Sequence, residues 1–148
     1  MSNLITIALG QIGIKEFSGK RDNPEVLKYF HDLGFDSQKI KDETSWCSAF
    51  MNWVAKTAGY EFSGGLNARS WLKVGKKIKN PQVGDVVVFW RESEKSWKGH
   101  VGIYLREDSL KIYVLGGNQK NQVCVQPYWK AQLLGYRRIS PIQYTANV

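Results

Sequence analysis

Three residues of this 148-residue chain are of the types that nucleophilic catalysis requires: Cys47, His100 and Asn118. Cys47 lies where the pattern predicts the first turn of an amphipathic helix, and unpaired backbone N–H groups there lower the pKa of a thiol. His100 begins a predicted strand. Asn118 ends the next strand, so its amide oxygen could accept a hydrogen bond from the imidazole. Together they predict acyl transfer through a cysteine nucleophile.

Neighbouring residues suggest how a substrate would be held. The backbone N–H of Cys47, with a second donor nearby, could bind the oxyanion of a tetrahedral intermediate. Gly99 and Gly102 flank His100 and remove side-chain bulk where a helix end and a substrate must approach. The aromatic side chains near these segments could form groove walls, although core packing explains each one equally well. The predicted substrate-binding residues are Trp46, Ser48, Trp90, Trp97, Tyr104 and Gln119.

Each candidate catalytic residue also has a purely structural alternative. A lone cysteine is commonly a small buried hydrophobic residue. His100 could be bonded to solvent at a strand end, and residues 116–119 could form an ordinary hairpin turn. Cys124 alternates with Val123 and Val125 and is expected to be core. The order of cysteine on a helix, histidine on a strand and amide on the next strand favours the catalytic interpretation.

The elements that must position these residues divide into helices followed by strands. Apolar residues at helical spacing predict helices at 4–12, 24–33 and 46–58, with a short helix from Asn67 to Val74. Residues 42–45 are expected to cap the third helix. Alternating patterns predict strands at 86–90, 100–106, 110–115, 123–126 and 136–139, with turns that include 107–109 and 116–117. The prediction is one α+β domain, residues 1–148, with N-terminal helices on an antiparallel meander of about five strands.

The charge balance predicts an anionic partner. Lysine and arginine total 21 against 13 acidic residues, which gives a formal net charge of +8. The basic residues are scattered rather than arranged in a run, so no nucleic-acid partner is expected. No stretch is long enough to span a bilayer and no secretory signal is recognisable, which predicts synthesis in the cytoplasm without a signal peptide and no membrane partner. Both cysteines are expected to be free thiols.

Four segments resemble the bacterial peptidoglycan hydrolases of the NlpC and CHAP kind. They are residues 45–50 around the cysteine, Pro81 with 84–89, residues 99–104 around the histidine, and residues 116–119. The resemblance covers almost the whole chain and is closest to a compact single-domain branch found in phage and bacterial genomes. It implies a papain-like fold in which Cys47 is the nucleophile, His100 the general base and then acid, and Asn118 the orienting residue.

The chain departs from these families at two positions. Trp46 stands where many NlpC relatives have an aspartate that helps to bind a free peptide amine, so the resemblance does not carry that specificity over. Gly117 stands where many CHAP relatives have a glutamate before the asparagine, so Gln119 or Asn121 could share the role of Asn118.

These observations predict a peptidoglycan hydrolase, either an amidase or an endopeptidase, that needs no metal or organic cofactor. We expect it to act as a monomer on the cell wall, in the periplasm or outside the cell. The expected delivery routes are release as a phage lysin, incorporation in a phage tail, or injection as an antibacterial type VI effector with an immunity protein. The alternatives are a non-catalytic wall-binding or polyanion-binding module, and a protein-directed transglutaminase or deamidase with the same triad.

Overall fold

A layer of helices packs on one antiparallel sheet. The computed structural model describes residues 3–17, 22–36 and 45–142. The helices are α1 (Asn3–Leu9), α2 (Pro24–His31) and α3 (Cys47–Ala58), followed by a 3₁₀ helix at Ala68–Lys73. The strands are β1 (Lys76–Ile78), β2 (Val86–Trp90), β3 (Gly99–Glu107), β4 (Lys111–Gln119), β5 (Gln122–Trp129) and β6 (Leu133–Arg138), with a second 3₁₀ helix at Lys130–Gln132. The α+β prediction is confirmed.

The sheet has six strands in the order β1-β6-β2-β3-β4-β5. Strands β2 to β5 form the expected meander, but β6 returns to the free side of β2 and β1 pairs with β6. The sequence pattern missed β1 because it has only three residues and two of them are exposed lysines. The described sheet therefore contains one strand more than predicted and is not a simple meander.

The buried carboxylate of Asp85 holds the returning strand in place. The Arg138 guanidinium at the end of β6 donates to both of its oxygens, at 2.9 and 2.8 Å. The backbone N–H of Gln82 donates to the same carboxylate. Because an arginine fork and a carboxylate match in geometry, this pair fixes the position of β6 beside β2. The glycine-aspartate motif at 84–85 is thus part of the scaffold.

Helix α3 is the central element of the helical layer, and its buried side includes Phe50, Met51 and Val54. It ends as predicted at Gly59, whose φ of +80° places it in the left-handed region that glycine adopts without strain. Helix α1 is shorter than predicted. The chain leaves it after Leu9 to approach β5, where the backbone N–H of Gly13 donates to the Val123 carbonyl.

The shortening of α1 changes the environment of its last apolar residues. Leu4, Ile5 and Ala8 are buried, whereas Leu9 and Ile12 are exposed. Residues 42–44 and the predicted cap that includes them lie outside the described residues. Of the helices that the structure describes, none combines the length and the apolar character that crossing a bilayer requires.

Candidate active site

Cys47 is the first residue of α3, as the sequence predicts. The residue before it, Trp46, makes no side-chain capping bond to the N–H groups of the first turn. The Cys47 side chain is only 4% exposed. The sulfur therefore sits at the positive end of a helix and largely out of water.

Two opposing effects act on the Cys47 thiol. Burial raises its pKa, because a thiolate is poorly solvated inside the protein. The charge and hydrogen bond of His100 lower it, as do hydrogen bonds from the Val101 backbone N–H and the Ser45 hydroxyl. The lowering effects prevail, so the pKa of Cys47 lies below its ordinary value. The structure thus brings the predicted thiol and imidazole together as an activated pair.

The imidazole of His100 is oriented by Gln119. The distance from His100 Nε2 to Gln119 Oε1 is 2.8 Å. The amide orientation is determined by its other end, because Gln119 Nε2 donates to the backbone carbonyls of Val114 and Cys124. The oxygen must then face the ring and accept from Nε2–H. In the neutral ring this leaves Nδ1 without a proton and free to act as a base toward Cys47.

Asn118, the predicted orienting residue, does not contact the imidazole through any described hydrogen bond. Its side-chain Nδ2 lies 3.5 Å from the Ser45 hydroxyl oxygen, on the sulfur side of the site. Strict alternation along β4 would place residues 114, 116 and 118 on one face of the sheet, and this is the basis of the prediction. In the structure the amide at the imidazole belongs instead to the next residue, Gln119.

A β-bulge causes this shift. The pairs Gly116↔Cys124 and Gln119↔Gln122 enclose one more residue on β4 than on β5. Asn118 accommodates the bulge with a φ of +56°, in the left-handed region. An extra residue moves every following side chain to the other face, so Gln119 joins the face of His100. The hairpin turn itself is Lys120-Asn121, where both φ values are positive, and not Gly116-Gly117.

Two glycines make room for this arrangement. A Cβ on Gly116 would lie 2.6 Å from Gln119 Oε1, so any side chain there would displace the amide from the ring. A Cβ on Gly117 would lie 2.6 Å from Phe50 Cβ and 2.8 Å from the Trp46 ring. The glycine pair therefore lets the first turn of α3 approach β4 closely enough for Cys47 to reach His100.

The aromatic ring of Tyr128 was not predicted as part of the site. It stacks on the His100 imidazole with a centroid distance of 4.7 Å and an angle of 18°, and also on Phe89 at 4.9 Å. Burial raises the pKa of the Tyr128 hydroxyl, which keeps the ring neutral. Tyr128 lies opposite Ile112 across the β4–β5 ladder. That pairing follows from the true hairpin turn, which the sequence pattern did not reveal.

Two cavities flank the thiol–imidazole pair. The first, of about 450 Å³, we name the imidazole cavity; its lining includes Trp90, Arg91, His100, Asn118, Gln119 and Tyr128. The second, of about 190 Å³, we name the thiol cavity; its lining includes Ser45, Cys47, Arg91, Trp97 and Lys98. A peptide that places an amide at Cys47 could extend from one cavity into the other.

Of the six predicted substrate-binding residues, three line these cavities, and two of the three are aromatic. Trp90 lines the imidazole cavity, and Trp97, 69% exposed, lines the thiol cavity. The structure places the other two aromatic residues elsewhere. Trp46 is fully buried, stacks on Tyr29 and donates from Nε1 to Glu16. Tyr104 is buried and its hydroxyl donates to Glu107.

The two polar residues of that set also have structural partners. Ser48 is fully buried on α3, where its hydroxyl donates to the Gly65 carbonyl at 2.6 Å and accepts from Trp71 Nε1. Gln119 lines the imidazole cavity but its amide is occupied by His100 and two carbonyls. One residue that was not predicted, Ser45, bonds the Cys47 sulfur instead.

The activated thiol lies at the start of a helix that packs against an antiparallel sheet, and this sheet carries the imidazole that an amide orients. This arrangement defines a papain-like α+β fold with a cysteine-centred site. Residues 39–118 match the model of the CHAP domain, a match that spans more than half of the chain. The chain therefore belongs to the CHAP family, and the resemblance noted in the sequence is confirmed. The matched segment ends one residue before Gln119.

Two further comparisons are consistent with this assignment. The chain is 32% identical over 98 residues, or 62% of its length, to the peptidoglycan DL-endopeptidase CwlO of Bacillus licheniformis. It also resembles the crystal structure of a lipoprotein-like protein of the NLP/P60 family from Staphylococcus aureus Mu50, with a TM-score of 0.55 and 22% identity over 92% of this chain. The matches span only 20% of CwlO and 40% of the staphylococcal chain. At 22% identity, the likeness to the staphylococcal chain shows the fold alone.

We predict that alanine substitutions at 118 and 119 will have unequal effects. Gln119→Ala removes the acceptor that orients the imidazole and should lower kcat/KM by about 10- to 100-fold. Asn118→Ala removes a long, exposed hydrogen bond and should cost about threefold or less. Hydrolysis rates of the two purified variants check this prediction, with thermal unfolding to show that both are folded. A larger loss at 118 would assign the orienting role to Asn118, and equal losses would contradict the assignment to Gln119 alone.

Proposed function

We propose that this chain is a peptidoglycan hydrolase that cleaves an amide bond of the stem peptide through a Cys47 acyl-enzyme. The observation that carries the proposal is the thiol–imidazole–amide series from Cys47 through His100 to Gln119, at the meeting point of two cavities. Membership of the CHAP family and the similarity to a peptidoglycan DL-endopeptidase support the choice of wall peptide as substrate.

In the acylation step the Cys47 thiolate attacks the carbonyl carbon of the substrate amide. An S–C bond forms and the carbonyl oxygen becomes an oxyanion, which accepts a hydrogen bond from the backbone N–H of Cys47. Protonated His100 then gives its proton to the amide nitrogen as the C–N bond breaks. The leaving amine departs, and the acyl group stays on the sulfur as a thioester.

In the deacylation step the neutral imidazole of His100 takes a proton from water, whose oxygen attacks the thioester carbon. The S–C bond breaks, the carboxylic acid is released, and the thiolate–imidazolium pair is restored. Gln119 keeps the same ring nitrogen protonated in both steps, while stacking on Tyr128 limits rotation of the ring. These two residues hold the imidazole, whereas Cys47 and His100 perform the chemistry.

The surface charge suits an anionic wall. A net charge of +8 attracts polyanions and speeds encounter with them at low ionic strength. The roles of phage lysin, tail component or injected effector with an immunity protein stay predictions from the sequence, and so does the monomeric state.

The experiment is digestion of purified sacculi followed by mass spectrometry of the released muropeptides. We expect new pairs of amine and carboxylic acid termini at one kind of amide bond. A transamidase would instead join peptides, and a wall-binding module would pellet with sacculi without releasing fragments. If the parent protein binds walls of several compositions and produces no new termini in any of them, the hydrolase assignment is wrong.

A further inference from the structure

We propose that Arg91 binds a free carboxylate on the residue next to the scissile amide, so that the substrate class is a stem peptide that retains this carboxylate. The proposal rests on the proposed function and adds to it a determinant of specificity. It concerns a residue outside the thiol–imidazole–amide series, and it follows from the position and the partners of one guanidinium.

Arg91 contributes to the lining of both cavities. It follows β2, and it lines the imidazole cavity together with His100 and the thiol cavity together with Cys47. Among the described residues, no other side chain that lines the imidazole cavity also lines the thiol cavity. A substrate that extends from one cavity into the other would therefore pass Arg91 whichever cavity holds its leaving group.

The electrostatics of the two cavities favour an anion. Neither lining contains an aspartate or a glutamate among the described residues, and both contain a lysine besides Arg91. Lys98, in the thiol cavity, is already paired with Glu92 at 2.7 Å. The Arg91 guanidinium has no hydrogen bond and no ion pair with any residue that the structure describes. Its five N–H donors are thus available to a ligand.

The backbone beneath Arg91 is held in place by another arginine. The Arg69 guanidinium donates to the carbonyls of Ser93, Glu94 and Lys98, all in the loop that Arg91 begins. The backbone N–H of Arg91 donates to the Lys98 carbonyl at 3.2 Å. Arg69 therefore uses three of its five N–H donors to fix the loop, while Arg91 is fixed at its backbone and its guanidinium has no partner among the described residues. Such preorganisation lowers the entropic cost of binding.

A carboxylate is the ligand that this geometry fits best. A guanidinium binds a carboxylate through two parallel hydrogen bonds, which a carboxamide cannot accept in the same way because one of its two groups is a donor. A stem peptide with a free carboxylate at that position should therefore bind better than one in which the same group is a carboxamide. Arg91 would make the enzyme sensitive to that difference.

The test uses two soluble stem peptides that differ only in one group, a free carboxylate or a carboxamide on the residue next to the amide that the enzyme cleaves. We expect the parent protein to prefer the carboxylate peptide by about 10- to 100-fold in kcat/KM, the factor that a hydrogen-bonded charge typically contributes. Arg91→Gln should cleave both peptides at similar rates, close to that of the parent on the carboxamide. Arg91→Lys should recover only part of the preference.

Arg106→Gln is the matched control. It removes the same charge about 20 Å from His100 along β3, so it should leave the preference unchanged. If the parent cleaves both peptides equally well, or if Arg91→Gln slows both by the same factor, the carboxylate proposal fails while the hydrolase proposal stands. If the parent cleaves neither peptide nor any sacculus, the hydrolase proposal itself fails. A preference that Arg106→Gln also removes would point to general surface charge instead.

Discussion

Replacing Cys47 by alanine is expected to abolish hydrolysis of the wall, with a loss of at least about 10⁴-fold in kcat. The sulfur is the only described nucleophile at the junction of the two cavities, and no neighbouring group can form the acyl intermediate in its place. Ser45 is close, but its hydroxyl donates to the sulfur and has no described base of its own. Release of muropeptides from sacculi, followed over hours, measures the residual rate.

The chain supplies a matched control at its other cysteine. Cys124 is a free thiol on β5 that donates to the backbone carbonyl of Gln119 at 3.2 Å. Cys124→Ser keeps a donor at that position and should remain active within a few-fold. Wall hydrolysis by Cys47→Ala at the rate of the parent protein would contradict the acyl-enzyme mechanism. Full activity together with wall binding in both variants would leave only a different nucleophile as an explanation.

Replacing His100 by alanine is expected to remove both the thiolate and the proton donor. In the parent protein the pKa of Cys47 is lowered, so the thiolate persists below the ordinary thiol pKa and is lost only as the pH falls through the lowered value. Without the imidazole, burial remains and raises the pKa of Cys47. The thiolate of the variant should then form only in alkaline solution.

The rate of Cys47 alkylation by iodoacetamide, measured against pH, checks this prediction directly. At pH 7 we expect alkylation of His100→Ala to be slower by about 10- to 100-fold, because a smaller fraction of the Cys47 thiol is ionised. Hydrolysis should fall further, by about 10³-fold or more, because the leaving amine also loses its acid. His31→Ala is the control, since His31 is exposed on α2 and, in the part of the chain that the structure describes, forms an ion pair with Asp32 alone. An unchanged alkylation profile in His100→Ala would disprove the pairing.

Much of the site could be predicted from local patterns. The helical spacing after Trp46 and the glycine at 59 place Cys47 at a helix start, because amphipathic periodicity and helix ends are local properties of a chain. The alternating run around His100 likewise defines a strand with glycines beside the imidazole. The residues next to Cys47 and His100 in the sequence were therefore sufficient to predict that each could take part in catalysis. The family resemblance rests on the same short segments.

Other features depended on contacts between distant segments. Ser48 follows the nucleophile directly, yet its hydroxyl is buried in the core, where it donates to the Gly65 carbonyl and accepts from Trp71 Nε1. Trp46 is likewise buried, because its ring stacks on Tyr29 and its Nε1 donates to Glu16. Arg69 and Arg91 look alike in the sequence, but the Arg69 guanidinium donates to three loop carbonyls, whereas the Arg91 guanidinium has no partner among the described residues. Partners of this kind come from elsewhere in the chain, so no local spacing distinguishes a core residue from a cleft residue.

The amino-acid sequence by itself determined that a thiol begins a helix, that an imidazole begins a strand, and that an amide lies near the end of the next strand. The tertiary structure decided which amide it is. One extra residue in β4 turns Asn118 away and brings Gln119 to the ring. Alternation predicts the face of every residue up to a bulge and none beyond it, because a single inserted residue reverses the faces. Only the pairing of β4 with β5 reveals where that insertion lies.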